Sequence, residues 1–493
     1  MAGSYILGID LGTSSLKTVL YTTRMEMVRS SKQLYTQPGT PVTADDWWRA
    51  LLGALRGLQE HVDLHDIACI SFSGYNAFVG VDKSLAPSTP VILYYQAAPS
   101  AYMRDIFTED EAKEVFRRAC TNIFGSGIMA PGIRYLKDHS PDAYAATDCF
   151  LYSSGFIAAK LTDVRMIDAS RASLSGLHDP RPVGTELCWN KDLLRMFQID
   201  AQKLPKIFNS WDTVGTVTLD AAAQTGLLAG TPVIAGSMDS LCAALGNGIL
   251  GSECLLDIGG SAGGLACVSD TPRAHGRLYL SRYALPGFWC NNAPLMSSAR
   301  LFDWFTQNFA PGWTMEDYIR AVDASPLFAR GMIFLPYVGG ARYPYWSSKT
   351  QGHLLHFAPE CTISDMARAI VEGLSCAYRS ILDDLLALGI QKPQYILAAG
   401  GDARFGAWVQ AKSSHMRMQY ELSDAPEASS RGAALIGAYA IGSIPDPAAY
   451  LKSSKKPGRI VSPETPADAF EAHYQRFLAD CETMYQDIVA PNW

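Results

Sequence analysis

The feature that most constrains the fold is a strand–turn–strand pattern that occurs twice, at residues 5–21 and 254–268. The first copy reads YILGIDLGTSSLKTVLY and the second reads CLLDIGGSAGGLACV. In each copy an apolar strand leads into Asp-apolar-Gly-x-Ser, and a second apolar strand follows. Turns of small residues leave backbone N–H groups free to bind phosphate oxygens. The repetition near the start of each half predicts a duplicated domain with a nucleotide held between the copies.

Residues with binding chemistry cluster at the first turn. Gly12, Thr13 and Ser14 form the turn, and Lys17 adds a positive charge on the return strand. Asp10 ends the first strand, and a carboxylate beside a phosphate cradle commonly holds Mg²⁺ through water. An ordinary hairpin with an Asp-Leu-Gly turn is the alternative, and these residues alone leave both interpretations open. The second copy favours the phosphate-binding interpretation.

Length and composition exclude several classes of protein. With 493 residues, 48% hydrophobic and 18% charged, the chain is expected to form two large globular domains. Its net charge of -7 gives no support for nucleic acid or an anionic membrane as the main partner. The 11 cysteines include no C-x-x-C, which argues against a disulfide framework or a zinc site. Without a signal-peptide pattern or a transmembrane run, a cytoplasmic protein is expected.

The two hairpins and the segments between them resemble the actin-like ATPase superfamily and, within it, the FGGY carbohydrate kinases. The resemblance extends over nearly the whole chain and includes the segments at 331–345 and 368–373. It implies an α/β fold of two actin-like (ribonuclease H-like) domains, residues 1–247 and 248–493, with a nucleotide and substrate cleft between them. It also implies a helix over residues 150–161.

The resemblance assigns roles that spacing alone does not. Asp239 takes the place of the general base of the family, although by itself it is more typical of an acid that caps a helix. The helix N-terminus is expected to keep this carboxylate ionised. Asp10 would hold the Mg²⁺ that accompanies ATP. The residues expected to bind ATP are Gly12, Thr13, Ser14, Lys17, Gly259, Gly260, Ser261, Gly400, Gly401 and Asp402.

The segments that line the sugar pocket in this family depart from its pattern. An Asp and an Arg that typically grip sugar hydroxyls are replaced here by Gln96 and Ala98. We therefore expect ATP-dependent phosphorylation of a hydroxyl of a sugar or polyol, with a preferred substrate other than D-xylulose. The residues expected to contact it are Ser73, Gly74, Tyr75, Asn76, Tyr95, Gln96 and Asp239.

The same departures motivate a different class of function. Gln96 and Ala98, together with Gly260 in place of Thr and Ala341 in place of Glu, would suit a catalytically weak or inactive sensor of nucleotide or sugar. Retention of both Asp10 and Asp239 opposes that alternative. An actin-like filament protein has little support because the pocket segments follow the order of a sugar kinase. Many relatives dimerise, and the sequence leaves monomer and homodimer open.

Overall fold

The computed structural model describes residues 3–35, 40–125, 127–182, 187–260, 262–296, 298–401, 403, 405–423, 425, 427–455 and 457–488. The strands of the first half are β1 (Tyr5–Leu11), β2 (Ser15–Thr22), β3 (Met27–Leu34), β4 (Ile67–Gly74), β5 (Ala77–Val81), β6 (Ile92–Leu93), β7 (Cys149–Tyr152), β8 (Met166–Asp168), β9 (Lys206–Phe208), β10 (Thr213–Thr216) and β11 (Pro232–Met238). Its helices are α1 (Ala44–Gln59), α2 (Ala98–Ile106), α3 (Glu109–Ala119), α4 (Met129–His139), α5 (Pro141–Ala146), α6 (Ser153–Thr162), α7 (Ala169–Leu174), α8 (Lys191–Phe197), α9 (Leu219–Thr225) and α10 (Asp239–Gly246).

The second half has its own strands and helices. The strands are β12 (Cys254–Gly259), β13 (Gly263–Ser269), β14 (Tyr279–Arg282), β15 (Trp289–Leu295), β16 (Ile333–Leu335), β17 (His353–Leu355), β18 (Tyr395–Gly400), β19 (Tyr420–Leu422) and β20 (Arg459–Val461). The helices are α11 (Ala299–Asn308), α12 (Met315–Ala324), α13 (Ile363–Ala387), α14 (Gly406–Met416), α15 (Ala428–Ala440), α16 (Pro447–Ser454) and α17 (Ala467–Met484). Within the described ranges, no helix is both long and apolar enough to cross a membrane.

One sheet topology occurs in both halves. The first large sheet has the order β10-β11-β4-β1-β2-β3, and the second has the order β14-β15-β13-β12-β18-β19-β20. In each sheet the hairpin belongs to a set of three antiparallel strands, namely β1-β2-β3 and β12-β13-β15. Parallel strands then extend the sheet on the other side of β1 and β12. The duplicated α/β architecture predicted from the repeated hairpin is confirmed.

Two helices of small residues pack between the large sheets. Helix α10 follows the last parallel strand of the first half, and α15 follows β19 in the second half. A Cβ atom on Gly246 would lie 1.9 Å from the Ala428 carbonyl oxygen, and one on Gly432 would lie 1.9 Å from that of Cys242. Because neither position has room for a methyl group, the glycines permit the backbones to meet. The two halves therefore share one buried core around α10 and α15.

Local sequence signals explain some elements and fail for others. Thr43 caps α1 through a reciprocal capping box with Asp46, as a Thr before an amphipathic stripe predicts. The helix expected over residues 150–161 is wrong in its first turn, because β7 pairs antiparallel with β5 there and α6 begins only at Ser153. A short apolar run fits either structure, and the neighbouring strand decides between them.

Candidate active site

The first hairpin places Asp10 near the end of β1, beside the end of β4. Its turn closes through Gly12, whose N–H donates to the Ser15 carbonyl oxygen over 2.9 Å. The parallel register of β1 and β4 pairs Asp10 with Ser73, whose Oγ donates a hydrogen bond of 2.7 Å to Asp10 Oδ1. Ser73 thus orients the carboxylate predicted to hold the metal.

The nearby positive charge of Lys17 does not offset the cost of burying the Asp10 carboxylate. Burial raises its pKa to about 6, and this effect exceeds the lowering by the hydrogen bond from Ser73. The charge of Asp239 raises the pKa further, whereas Lys17 lowers it and Glu427 raises it again. A divalent cation would reverse this balance because it stabilises the ionised carboxylate. The electrostatic setting of Asp10 therefore fits a metal-binding role.

Lys17 pairs with a carboxylate of the second half. Lys17 Nζ lies 2.5 Å from Glu427 Oε2, and the two side chains are 27% and 25% exposed. Glu427 directly precedes α15 and has a left-handed backbone with φ of 56°. The ion pair therefore connects the first phosphate-type hairpin with the helix that packs on β1 and β4. Lys17 remains partly exposed to solvent.

The second hairpin has the same backbone turn as the first, but its carboxylate has a different charged partner. Its turn closes through Gly260, whose N–H donates to the Ala262 carbonyl oxygen over 2.9 Å. Asp257, the counterpart of Asp10, forms a fully buried ion pair with Lys412, with 2.8 Å between Oδ2 and Nζ. This carboxylate is neutralised within the protein. Ser261, predicted to contact phosphate, lies outside the described residues.

The two glycines at the end of β18, Gly400 and Gly401, differ in what their backbones require. Gly400 pairs in register with Gly259 and has φ of 93°. A Cβ atom on Gly400 would lie 2.3 Å from the Gly259 carbonyl oxygen, so the close approach of the two paired strands requires glycine there. A Cβ atom on Gly401 would meet no heavy atom of the described residues within 4 Å. This open space beside a strand end fits a flat ligand, and the predicted neighbour Asp402 lies outside the described residues.

Asp239 is the first residue of α10, directly after β11. Its Oδ1 accepts a hydrogen bond of 2.7 Å from the backbone N–H of Ser240. Burial raises the pKa of Asp239, and this effect exceeds the lowering by that N–H and by the Arg171 charge. The N-terminus of α10 was expected to favour the anion, and the Ser240 N–H does so, but desolvation in the cavity wall acts in the opposite direction and is larger. A raised pKa makes this carboxylate a stronger base.

A buried polar cluster fixes the backbone next to Asp239. Arg171 is fully buried, forms an ion pair with Asp168, and donates to the Gly74 carbonyl oxygen at the end of β4. The Met238 N–H donates to Ser170 Oγ over 3.0 Å. The ends of β4 and β11 are thereby joined to the N-terminus of α7. Sequence reasoning missed this cluster, although an Arg three residues after an Asp is placed to form an ion pair with it on a helix.

A cavity of about 240 Å³ opens between the two hairpins, with Asp239 in its wall. Both halves of the chain contribute side chains to it. Lining residues include Thr13, Asn76, Tyr94, Asp239, Asn292 and Arg342.

The structure places the predicted substrate residues in two groups. Tyr75 and Asn76 line the cavity with Asp239. Tyr95 and Gln96 lie outside this lining: Tyr95 is 49% exposed, and Gln96 Oε1 accepts from the Leu93 N–H over 3.3 Å. Ser73 donates to the Asp10 carboxylate, and the Gly74 carbonyl oxygen accepts from the Arg171 guanidinium. Among the turn residues, Thr13 reaches the cavity, and the Ser14 carbonyl oxygen accepts from the Tyr35 N–H over 3.1 Å.

Sequence reasoning missed cavity residues that come from distant segments. Arg342 Nη2 donates to the Tyr94 carbonyl oxygen over 2.8 Å, and its guanidinium lies 5.6 Å from the centroid of the Tyr94 ring. Asn292 reaches the same cavity from β15. Two adjacent asparagines in an otherwise apolar strand were the available signal for Asn292. Nothing in the spacing pairs Arg342 with a tyrosine 248 residues away.

This duplicated fold, with two phosphate-type hairpins facing one cleft and a carboxylate in the cleft wall, defines a two-domain phosphotransferase with the actin-like ATPase fold. Residues 5–246 match the N-terminal domain of the FGGY family of carbohydrate kinases, and residues 257–441 match its C-terminal domain. The chain belongs to the FGGY family of carbohydrate kinases and is a carbohydrate kinase.

Known relatives differ in their sugar. Xylulose kinase of Bacillus subtilis (strain 168) is 26% identical over 451 residues, covering 89% of this chain and 88% of that protein. Gluconokinase of the same organism is 24% identical over 459 residues, covering 90% of this chain and 88% of that protein. Among solved structures, gluconate kinase of Lactobacillus acidophilus aligns with a TM-score of 0.90 at 20% identity, covering 98% of this chain and 99% of that chain.

Proposed function

We propose that this carbohydrate kinase transfers the γ-phosphoryl group of ATP to a hydroxyl of a sugar or polyol, with Asp239 as the general base. The observation that carries the proposal is the position of Asp239, in the wall of the interdomain cavity and beside polar side chains of both halves. A carboxylate of raised pKa at that place can accept the hydroxyl proton as the oxygen attacks phosphorus.

The acceptor hydroxyl would be held against Asp239 by neighbours in the cavity. Asn76 offers both a hydrogen-bond donor and an acceptor, and Tyr75 offers a hydroxyl and an aromatic face. The buried cluster of Arg171 and Asp168 keeps the ends of β4 and β11 in place, so these side chains are positioned before the substrate binds. Positioning of this kind supplies much of the rate in phosphoryl transfer.

Phosphate binding is assigned to the turns that the sequence singled out. Gly12, Thr13, Ser14 and Lys17 would face the phosphates from the first half, and Gly259, Gly260 and Ser261 from the second. Gly400 and Gly401, with Asp402, would flank the nucleoside. Asp10 would hold Mg²⁺ through water, and the bound metal would neutralise charge on the phosphates. Closure of the two halves would exclude water from the reacting groups.

The substrate is proposed to differ from D-xylulose. Gln96 and Ala98 stand where the family has a charged pair, and both are exposed beyond the cavity. Tyr75 and Tyr94 add aromatic surface to the lining. Tyrosine rings stack on the C–H faces of sugars, and their hydroxyls form directional hydrogen bonds. The pocket is therefore expected to be less polar than one built for a typical ketose.

An ADP-release screen across ketoses, aldoses, polyols and sugar acids tests the proposal. We expect one class to be phosphorylated efficiently and D-xylulose to be a weak substrate. Efficient phosphorylation of D-xylulose, well above the other sugars, contradicts the proposed specificity. Nucleotide binding without ADP release on any member would instead favour the sensor alternative, for which the exchanges at Gln96, Ala98, Gly260 and Ala341 remain the support.

A further inference from the structure

Three side chains that bind transition metals meet in the core of the second half, away from the cleft. Cys376 belongs to α13, His415 to α14 and His473 to α17, and their relative exposures are 0%, 1% and 4%. Cys376 Sγ lies 3.7 Å from His473 Nδ1, and His415 Nε2 lies 3.2 Å from the same nitrogen. One candidate ligand atom from each residue lies within 4.8 Å of the other two.

We propose that Cys376, His415 and His473 form a site for a thiophilic divalent metal ion, with Zn²⁺ as the expected occupant. Typical zinc–sulfur and zinc–nitrogen bonds of about 2.3 Å and 2.0–2.1 Å, joined at a tetrahedral angle, separate S and N by roughly 3.6 Å and two N atoms by roughly 3.3 Å. The separations of 3.7 Å and 3.2 Å agree with that geometry. A fourth position is left for a small ligand such as water.

The hydrogen bonding of His415 favours coordination through the required nitrogen. Its Nδ1 lies 2.9 Å from the Ala411 carbonyl oxygen, which is an acceptor only, so Nδ1 carries the proton. The lone pair is then on Nε2, which faces the cluster. A backbone carbonyl that fixes the tautomer of a ligating histidine is a common outer-shell arrangement in metal sites.

The surroundings keep the imidazoles in the form that binds metals. Burial lowers the pKa of His415 to about 4 and that of His473 to about 3, so both rings are neutral at pH 7. Burial raises the pKa of the Cys376 thiol, so Cys376 carries its proton until a cation binds. Metal binding would therefore replace the thiol proton and release one H⁺ to solvent for each ion bound.

An ion at this place would tie together three helices that are distant in sequence. Helix α14 follows the Gly400–Gly401 turn, and α17 is the last helix of the described chain. Phe328 stacks on His473 with 5.0 Å between ring centroids, which closes one side of the cluster. Because the three side chains are buried and none of them lines the cavity, the role of the ion would be structural. Metal binding is expected to raise the melting temperature by roughly 3 °C or more at saturating metal.

The test measures metal content and the Co²⁺ spectrum of the full-length protein produced in zinc-supplemented or cobalt-supplemented medium. We expect one equivalent of zinc per chain that survives a weak chelator. The cobalt form should show intense d–d absorption of a tetrahedral ion and a thiolate-to-cobalt charge-transfer band. Cys376→Ser should remove the charge-transfer band, and His473→Gln should reduce metal content at least tenfold.

Cys481→Ser is the matched control, because Cys481 is a buried cysteine of α17 outside the cluster. This variant should keep both the band and the metal. If the wild-type protein contains less than about a tenth of an equivalent of metal from either medium, the proposal is overturned. The cluster is then a hydrogen-bonded imidazole pair beside a buried thiol. This outcome is read from the wild-type chain and does not depend on whether a variant folds.

Discussion

Asp10 and Asp257 occupy equivalent places in the two hairpins, yet among the described residues a lysine bonds directly to only the second of them. Lys412 lies 2.8 Å from Asp257 with both side chains buried, whereas the lysine opposite Asp10 pairs with Glu427. The second copy therefore contains an internally neutralised carboxylate, and the first contains one whose pKa burial raises to about 6. This difference indicates a structural role for Asp257, whereas the setting of Asp10 fits a functional role.

Asp10→Asn is expected to lower activity and to raise stability. Loss of a water-mediated metal contact should reduce turnover by roughly ten- to a thousandfold. The pKa of Asp10 is higher in the folded protein than in the unfolded chain. The contribution of Asp10 to the free energy of unfolding is therefore fully present below pH 3.8 and is lost as pH rises through about 6. At pH 8 the ligand-free Asp10→Asn variant should therefore melt roughly 2–4 °C above the ligand-free wild-type protein. Normal turnover across a Mg²⁺ titration would remove Asp10 from the site.

Lys412→Met is expected to destabilise the second half strongly. The change leaves the Asp257 carboxylate buried without its partner, at a cost of about 3–5 kcal/mol. Adding Asp257→Leu should restore much of that loss, because the pair is then replaced by apolar groups. The measurement is urea unfolding of the two single variants and the double variant. Additive effects in the double variant would show that the pair is not coupled.

Lys17→Gln and Glu427→Gln are expected to act in opposite directions on the affinity for ATP. If Lys17 contacts phosphate, removing its ammonium group should raise the KM for ATP about tenfold, the effect of losing one charge-assisted hydrogen bond. Glu427→Gln releases that ammonium group from its ion pair, so the KM should stay constant or fall. Equal increases in both variants would assign the pair a purely structural role and contradict a phosphate contact.

The duplicated architecture could be predicted from sequence because it depends on local patterns. Asp-apolar-Gly between two apolar strands predicts a hairpin, and the same pattern at residues 5–21 and 254–268 implies two related sheets. The position of Asp239 at a strand-to-helix junction was also local information. The raised pKa of Asp239 could not be predicted in this way, because burial of its carboxylate depends on the elements that close over the cleft.

The missed features all join segments that are far apart in the chain. Arg171 reaches the carbonyl of Gly74, Arg342 reaches that of Tyr94, and Cys376 meets His473. The absence of C-x-x-C argued against zinc only for ligands close in sequence. Contacts between helices and loops 97 or more residues apart follow from the topology, which spacing rules do not encode.

The pH profile of the enzyme should show an acidic limb displaced toward neutrality. Asp10 and Asp239 both have raised pKa values, and both must be ionised for the roles proposed here. Activity is therefore lost as pH falls, with the midpoint of kcat/KM near pH 6 rather than near 3.8. The two carboxylates interact, so the limb belongs to the pair. A profile that stays flat from pH 7 to pH 5 would contradict the assignment.

Asp239→Asn separates the general base from a helix cap. Asn has the same size and caps a helix as well as Asp, but it cannot accept the hydroxyl proton. We expect the chemical step to slow by about 10²–10⁴-fold, the usual contribution of a positioned base, with ATP affinity nearly unchanged.

Asp220→Asn is the matched control for that variant, because it makes the same change in the first turn of α9, at an exposed position outside the cavity lining. It should leave activity intact. ADP release with the best substrate is measured for both variants, alongside nucleotide affinity and melting temperature. Since the amide removes a buried charge, the melting temperature of Asp239→Asn should not fall, so lost activity cannot be attributed to unfolding. Full activity in this well-folded variant would leave Asp239 as a cap and end its assignment as the base.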